Sequence, residues 1–282
     1  MRAANFSPNH IGNDAAILNL VADQLRKRGC TVNVYSEEQF LAGAASDEHV
    51  LLAMCREPRS IAMLQQREDA GDLVINSGYG IENCTRERMS RILVGSGIPF
   101  PESIAVDTDE VVRERLMRSG WDAFWVKRAD MHAQHREDVS YARHAQEAQE
   151  ILQEYFLRGI GRAVICRHLS GELIKFYGVA GTPFFHSYFH FDSSRAKHGP
   201  GTAPAAPGRP ALDTERLRSI CVRAAEALDV RVYGGDAILG ADGSLSIIDL
   251  NDWPSYAPCR AEVAPVIARM VMAEIKRHHD HD

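Results

Sequence analysis

The sequence predicts an α/β unit followed by an α+β body, and three observations carry that prediction. Strand-like and helix-like segments alternate over the first third of the 282 residues, the pattern of a largely parallel sheet. Beyond residue 160, strand-like segments follow one another through short links, which suits antiparallel pairing. Between these regions IPFPES (98–103) is a proline-interrupted stretch that no helix continues through. The balance of 45% hydrophobic and 25% charged residues is ordinary for a globular protein, and the length allows one large or two to three small domains.

In chain order, RAANF (2–6) reads as a short strand and SPNHIGND (7–14) as a turn-rich loop ending in the helix-capping residues Asn13 and Asp14. From Ala15 to Lys27 apolar residues recur at Ile17, Leu18, Val21 and Leu25, one face of a helix, and Gly29 suits its C-terminal end. TVNVYS (31–36) alternates as a strand does. HVLLAMC (49–55) is a continuous apolar run, expected of a strand buried on both faces. A helix over Arg59–Asp69 and a strand at DLVINS (72–77) complete an N-terminal α/β unit assigned to residues 1–84.

TRERMSRILVGSG (85–97) is an amphipathic helix, DAFWVKRA (122–129) a strand and HAQEAQEILQEYFLRG (144–159) a helix. RAVICRHL (162–169), ELIKFYGVAG (172–181) and PFFHSYFHFD (183–192) read as successive antiparallel strands. Pro, Gly and Ala dominate 193–210, which predicts a mobile loop. TERLRSICVRAAEAL (214–228) carries the apolar stripe of a core helix. VYGGDAIL (232–239) and SLSIIDLN (244–251) form a hairpin around Asp242-Gly243, and a helix over Val263–Ile275 closes the chain. No internal repeat is visible.

Several function classes are disfavoured at this level. A net charge of −6 argues against a general nucleic-acid or membrane-surface binder. No apolar run approaches the ~18–20 residues of a membrane span. The six cysteines are scattered with no C-x-x-C pair, so neither a zinc ribbon nor a disulfide framework is indicated, and a reducing cytoplasm fits best. Met1 to Asn9 lacks an apolar stretch flanked by basic residues, so no secretory signal is expected.

The most informative segment is GGDAILGADGSLSIIDLNDWPSY (234–256). Asp236 lies on one strand of the hairpin, and Asp249 and Asn251 lie on the other, two apart and therefore on one face. Pairing around the turn brings Asp236 to the same end, so three oxygen-bearing side chains converge. Hard oxygen donors without imidazole or thiolate suit Mg²⁺. Taken alone, Asp236 and Asp249 read equally well as turn-flanking acids, because motifs this short recur by chance.

The hairpin resembles the metal-binding end of the ATP-grasp superfamily, whose members share an acid, a turn, then acid-x-Asn with a proline nearby. Glutathione synthetase, ribosomal-protein glutamate ligases, D-alanine–D-alanine ligase and the inositol phosphate kinases carry versions of it. INSGYGIENCTRERMSRILVGSGIPFPES (75–103) is similar to the linker of that superfamily, and the resemblance covers roughly residues 75–270. It implies ATP and Mg²⁺ as cofactors, a Rossmann-like pre-ATP-grasp unit over 1–84, a small ATP-grasp lobe over 85–168 and a large lobe with the metal site over 169–282. Asp236, Asp249 and Asn251 become the metal ligands. Arg88, Lys127 in WVKRA (125–129) and Lys175 in ELIKFYGV (172–179) become phosphate contacts. Lys127 and Lys175 stand inside apolar strands, where a solvated surface lysine is out of place. Arg167, His168 and Leu169 mark the adenine hinge, read through backbone groups.

Two departures accompany the resemblance. The stretch after the first lysine strand, ADMHAQHREDV (129–139), has no glycine, so His132, Gln134 and His135 stand where backbone donors are usual. The proline of the hairpin is followed by Ser255 rather than glycine.

The superfamily opens with attack of an acceptor oxygen on the γ-phosphate. In its ligases the acceptor is a carboxylate, and an amine or thiol then displaces phosphate. In its kinases the acceptor is an alcohol, for which Asp252 or a histidine could serve as base. Asp-Leu-Asn-x-Trp-Pro-x-Tyr is similar to the kinase version. The resemblance assigns catalysis to Lys175, Asn251 and Arg260 and a small-molecule or peptide acceptor as partner, and it leaves a homo-oligomer open. Candidate acceptor contacts are His10 and Asn13 near a helix N-terminus, Arg56 at a strand end, and Arg195 and Lys197 in the 193–210 loop.

Overall fold

The structure is a computed structural model that describes residues 8–129, 138–190 and 210–280, with the side chains of residues 8–11 outside that description. The first helix, α1 (Pro8–Arg26), opens about two turns earlier than its apolar stripe requires. Proline is well tolerated in a first helical turn. The expected loop over 7–14 is therefore helical from Pro8, and Asn13 and Asp14 sit within α1 instead of capping it. The stripe itself is buried, with Ile17, Val21 and Leu25 packed against the C-terminal helix.

There follow α2 (Glu37–Leu41), β1 (Val50–Leu52), α3 (Pro58–Asp69), β2 (Leu73–Ile75) and α4 (Gly78–Asn83). Strands β1 and β2 pair in parallel, Val50 with Leu73 and Leu52 with Ile75. Among the described residues these two strands are the whole sheet, so the larger Rossmann-like sheet is not found, and RAANF (2–6) lies outside the description. Residues 31–36 form no strand. Their alternation is strand-like, but a strand needs an edge to pair with. A cavity of about 380 Å³, lined by Leu18, Val34, Leu51 and Val271 among others, lies between them and β1.

The middle of the chain holds α5 (Arg86–Gly95), β3 (Ser103–Asp107), α6 (Arg113–Arg118), β4 (Phe124–Arg128), β5 (Val139–Ala142), α7 (Ala145–Leu157) and β6 (Arg162–Arg167). The strands form an antiparallel sheet in the order β3-β6-β4-β5. One face buries Phe124, Val126 and Ile165 against Leu152 and Tyr155 of α7.

The last part holds β7 (Glu172–Val179), β8 (Phe185–Phe189), α8 (Thr214–Ala227), β9 (Val232–Leu239), β10 (Leu245–Asp252) and α9 (Arg260–His279). These strands make a second antiparallel sheet, β10-β9-β7-β8. Strand β6 does not pair with β7, contrary to the expected run of neighbours. Residues 168–171 instead carry the chain from one sheet to the other. Gly171 is required there, since a Cβ would come within 2.3 Å of the Leu239 carbonyl oxygen at a φ of +156°. Alternation along β7 sends Ile174 and Phe176 into a core with α5 and α8, leaving Lys175 and Tyr177 on the opposite face. Among the described residues no helix is long and apolar enough to cross a membrane.

Candidate active site

The β9–β10 hairpin depends on one irregularity. Its turn holds Gly243 at φ +79°, with Gly240 N–H donating to Ser244 O and Ser244 N–H to the Asp242 carboxylate. The register that starts there sets Leu245 against Leu239 and Ile247 against Ala237. Continued unbroken, it would set Asp249 against Gly235 and turn its side chain into the core. A bulge at Ile248 inserts one extra residue, so Asp249 pairs with Asp236 and Asn251 with Gly234. Ile248 and Asp249 then both face outward, while Ile247 and Leu250 stay buried. The close approach requires glycine at 235, where a Cβ would lie 2.1 Å from the Asp249 carbonyl oxygen.

Two lysines, one from each sheet, reach this hairpin. Lys175 sits opposite Asp236 in the β7–β9 register, and its Nζ is 2.7 Å from Asp236 Oδ1. Lys127 crosses from β4 and donates to the carbonyl of Ile248, the bulge residue, at 3.1 Å. Burial, the larger influence, pushes the Asp236 carboxyl above the usual range, and the neighbouring Asp249 charge adds to it. The Lys175 ammonium pulls the other way. Two carboxylates paired across a hairpin are oxygen donors of the kind a divalent cation takes. Among the described residues, no group of three or more His, Cys, Asp or Glu side chains is arranged for a metal. The available donor set is the Asp236–Asp249 pair with the Asn251 amide on the same face, and its all-oxygen chemistry fits Mg²⁺ completed by phosphate oxygens.

The expected phosphate contact at Arg88 is not brought to the site. Its side chain is 43% exposed and pairs with Glu82 at 2.9 Å. Buried positions on α5 are Arg86, Met89, Ser90 and Leu93, so Arg88 falls on the outer face. Arg86 is the residue that turns inward, 8% exposed with Nη1 3.4 Å from the Arg128 carbonyl. Its phase with Met89 and Leu93 is the sequence signal that distinguishes it.

At the crossing between sheets, Arg167 points outward to Glu102 at 3.2 Å. The backbone N–H of Arg167 donates to Glu102 O and that of His168 to Ala123 O. Leu169 N–H has no partner among the described residues. The His168 ring accepts from Trp125 Nε1 at 3.2 Å and packs edge-on to Tyr141. Beside it, Ala129, Val164 and Cys166 form an apolar patch with Trp125.

The candidate acceptor residues divide. Arg260 Nη2 donates to Asn13 Oδ1 at 2.6 Å, which brings two predicted residues together, and its Nε donates to Ser255 O at 2.9 Å. Arg56 is not an open cation. It is buried, with Nη1 2.6 Å from Asp252 Oδ2, because the strand end that carries it packs against the end of β10. Asp252 is 0% exposed, so it is no base open to an acceptor either. The His10 side chain, His132, Gln134, His135, Arg195 and Lys197 lie outside the described residues. The apolar cavity in the N-terminal unit is lined by none of the hairpin residues.

No family model and no curated protein matches this sequence. Solved structures do. A D-alanine–D-alanine ligase from Bacillus anthracis superposes with a TM-score of 0.67 at 14% identity, covering 100% of this chain and 98% of that one. The ATP-grasp ligase PsnB complexed with minimal precursor gives 0.59 at 17% identity, covering 95% and 97%. A RimK domain ATP-grasp protein from Sphaerobacter thermophilus gives 0.59 at 14% identity, covering 86% and 97%. The fold is that of the ATP-grasp ligases.

Proposed function

We propose that this chain, built on the ATP-grasp fold, is an ATP-dependent, ADP-forming ligase that couples a carboxylate to an amine or thiol, with Mg²⁺ held by Asp236, Asp249 and Asn251. The observation that carries this reading is the pairing of two carboxylates across a bulged hairpin with a lysine from each sheet directed at it. When bound, the metal supplies positive charge to the phosphate oxygens. Lys127 and Lys175 then hold the triphosphate tail, whose roughly four negative charges need several cations. The patch of Ala129, Val164, Cys166 and Trp125 covers the adenine, and the Leu169 N–H reads its edge.

The chemistry needs little else. An acceptor carboxylate is already ionised at neutral pH, so no base is required for its attack on the γ-phosphorus. The bond from that phosphorus to the bridging oxygen breaks and ADP leaves with the electron pair. The amine or thiol then attacks the acyl carbon, phosphate leaves with the C–O bonding pair, and the nucleophile's proton passes to solvent. An alcohol acceptor would need a base, and the burial and ion pairing of Asp252 leave only a histidine for that role. PsnB has been captured with precursor peptide PsnA2 and AMPPNP, which supports a peptide carboxylate as acceptor here.

The test is isotopic. Candidate peptide and small-molecule carboxylates labelled with ¹⁸O are incubated with protein, MgATP and amines, and released phosphate is weighed by mass spectrometry. One ¹⁸O per phosphate, with ADP, is the expected result. AMP with pyrophosphate, or a stable phosphoester, overturns it.

A further inference from the structure

We infer that Arg56 is a positioning residue for the metal site, acting through Asp252 on Asn251 and Asp249; this rests on the reading of the hairpin as the Mg²⁺–nucleotide site. Asp252 is the last residue of β10 and directly follows Asn251. A strand end is where a ladder frays, yet here it is gripped twice. Arg56 Nη1 binds the Asp252 carboxylate at 2.6 Å and Nη2 binds its carbonyl at 3.2 Å.

The grip is itself anchored. The Arg56 N–H donates to Glu37 Oε1 at 2.7 Å, and the same oxygen accepts from Glu57 N–H at 2.8 Å and from the Ser60 hydroxyl. The N-terminal unit also holds the other hairpin strand at the same end. Asn76, fully buried, accepts from Arg231 and Val232 N–H and donates to Val232 O, each at 2.8 Å. Trp253 closes the set, its Nε1 donating to Ile75 O at 3.1 Å.

Stability alone does not call for a guanidinium here. A buried ion pair returns little beyond its desolvation cost, and well-packed apolar residues commonly do as well or better. What the charged fork adds over an apolar contact is direction, because it fixes both angle and distance to its partner. That direction bears on Asp252, the residue following Asn251 and three residues from Asp249. Groups hydrogen-bonded to metal ligands are worth about 10–100-fold in metal affinity, and Arg56, which bonds the neighbour of a ligand, is set at the low end of that range.

The experiment measures ATP binding by calorimetry with Mg²⁺ and with EDTA, beside thermal melting, in wild type, Arg56→Met, Arg56→Lys and Asp252→Asn. Arg56→Met is expected to keep metal-free ATP affinity within about twofold and to lose about tenfold of the gain that Mg²⁺ confers, with partial rescue by lysine. Asp252→Asn preserves volume and the carbonyl contact, and it carries the test should Arg56→Met not fold; its Mg²⁺ gain should fall by several-fold. A purely structural role would lower both affinities together with the melting temperature, and that result, or an undiminished Mg²⁺ gain in a folded variant, overturns the inference. Wild-type protein with no Mg²⁺ gain overturns the underlying metal-site reading instead.

Discussion

The β9–β10 hairpin and the β1–β2 pair touch through Arg56 and Asp252, yet they are held in different ways. The hairpin has two eight-residue strands inside a four-stranded sheet, backed by a core that includes Phe176, Leu217 and Ile247. The N-terminal pair has three residues per strand. It depends on side chains bonded to backbone: Arg67 to the carbonyls of Ala45 and Glu48, Glu37 to the N–H groups of Arg56 and Glu57, Asn76 to β9. The carboxylates are carried by a long ladder inside a four-stranded sheet, bulged once at Ile248, while the neighbouring unit is a frame assembled from individual polar contacts.

The largest expected effect breaks the comparison if it fails. Asp249→Ala should lower ADP formation by about a thousandfold while leaving the melting temperature nearly unchanged, since its site is assigned to chemistry and not to the ladder. Activity within tenfold of wild type, in an ADP-release assay, would remove the hairpin from the reaction. Gly235→Ala should do structural harm in the same place. The added methyl meets the Asp249 carbonyl, so strands must separate, at a cost of about 2–3 kcal/mol in denaturant unfolding. Its Mg²⁺-dependent ATP binding should fall in parallel.

Smaller effects sharpen the contrast. Lys127→Met should weaken ATP binding by about tenfold, whereas Arg88→Ala, on the exposed face of α5, should stay within about twofold. Asp236→Asn should abolish the Mg²⁺ gain yet melt no lower than wild type. The raised carboxyl means the folded protein holds that proton more tightly than the unfolded chain. The ionised form is therefore a destabilising term present above the folded pKa and relieved as pH falls through it. Glu48 behaves in the opposite sense, held low chiefly by hydrogen bonds from Asn33 and Tyr35. Its contribution is present above the unfolded pKa and lost as pH falls through the folded one. Hydrogen exchange on acidification below pH 5 should accordingly open the segment from Asn33 to β1 before β9 and β10, and the reverse order would void the comparison.

Much of this was legible in the sequence, and the misses have physical causes. The Asp242-Gly243 turn, the common face of Asp249 and Asn251 and the apolar stripes of α1, α5 and α8 follow from local chemistry. The bulge does not follow from two-residue alternation, although it leaves a trace. Buried apolar residues fall at odd positions, Leu245 and Ile247, then shift to even at Leu250, and that change of parity is the extra residue. Motif position points to Arg88, whereas the helix phase set by Met89 and Leu93 turns Arg86 inward and leaves Arg88 on the outer face. TVNVYS was over-read because β-branched alternation records suitability for a ladder and says nothing about an available edge. Arg56 and Asp252 lie 196 residues apart, and no local pattern announces their pairing.

Lys127 donates across the cleft to the carbonyl that the bulge exposes. The ammonium is bonded to the protein's own backbone, and this contact ties the two sheets together at that point. On the function proposed above, Lys127 exchanges this internal acceptor for phosphate oxygens, so taking up the nucleotide releases the tie between the sheets.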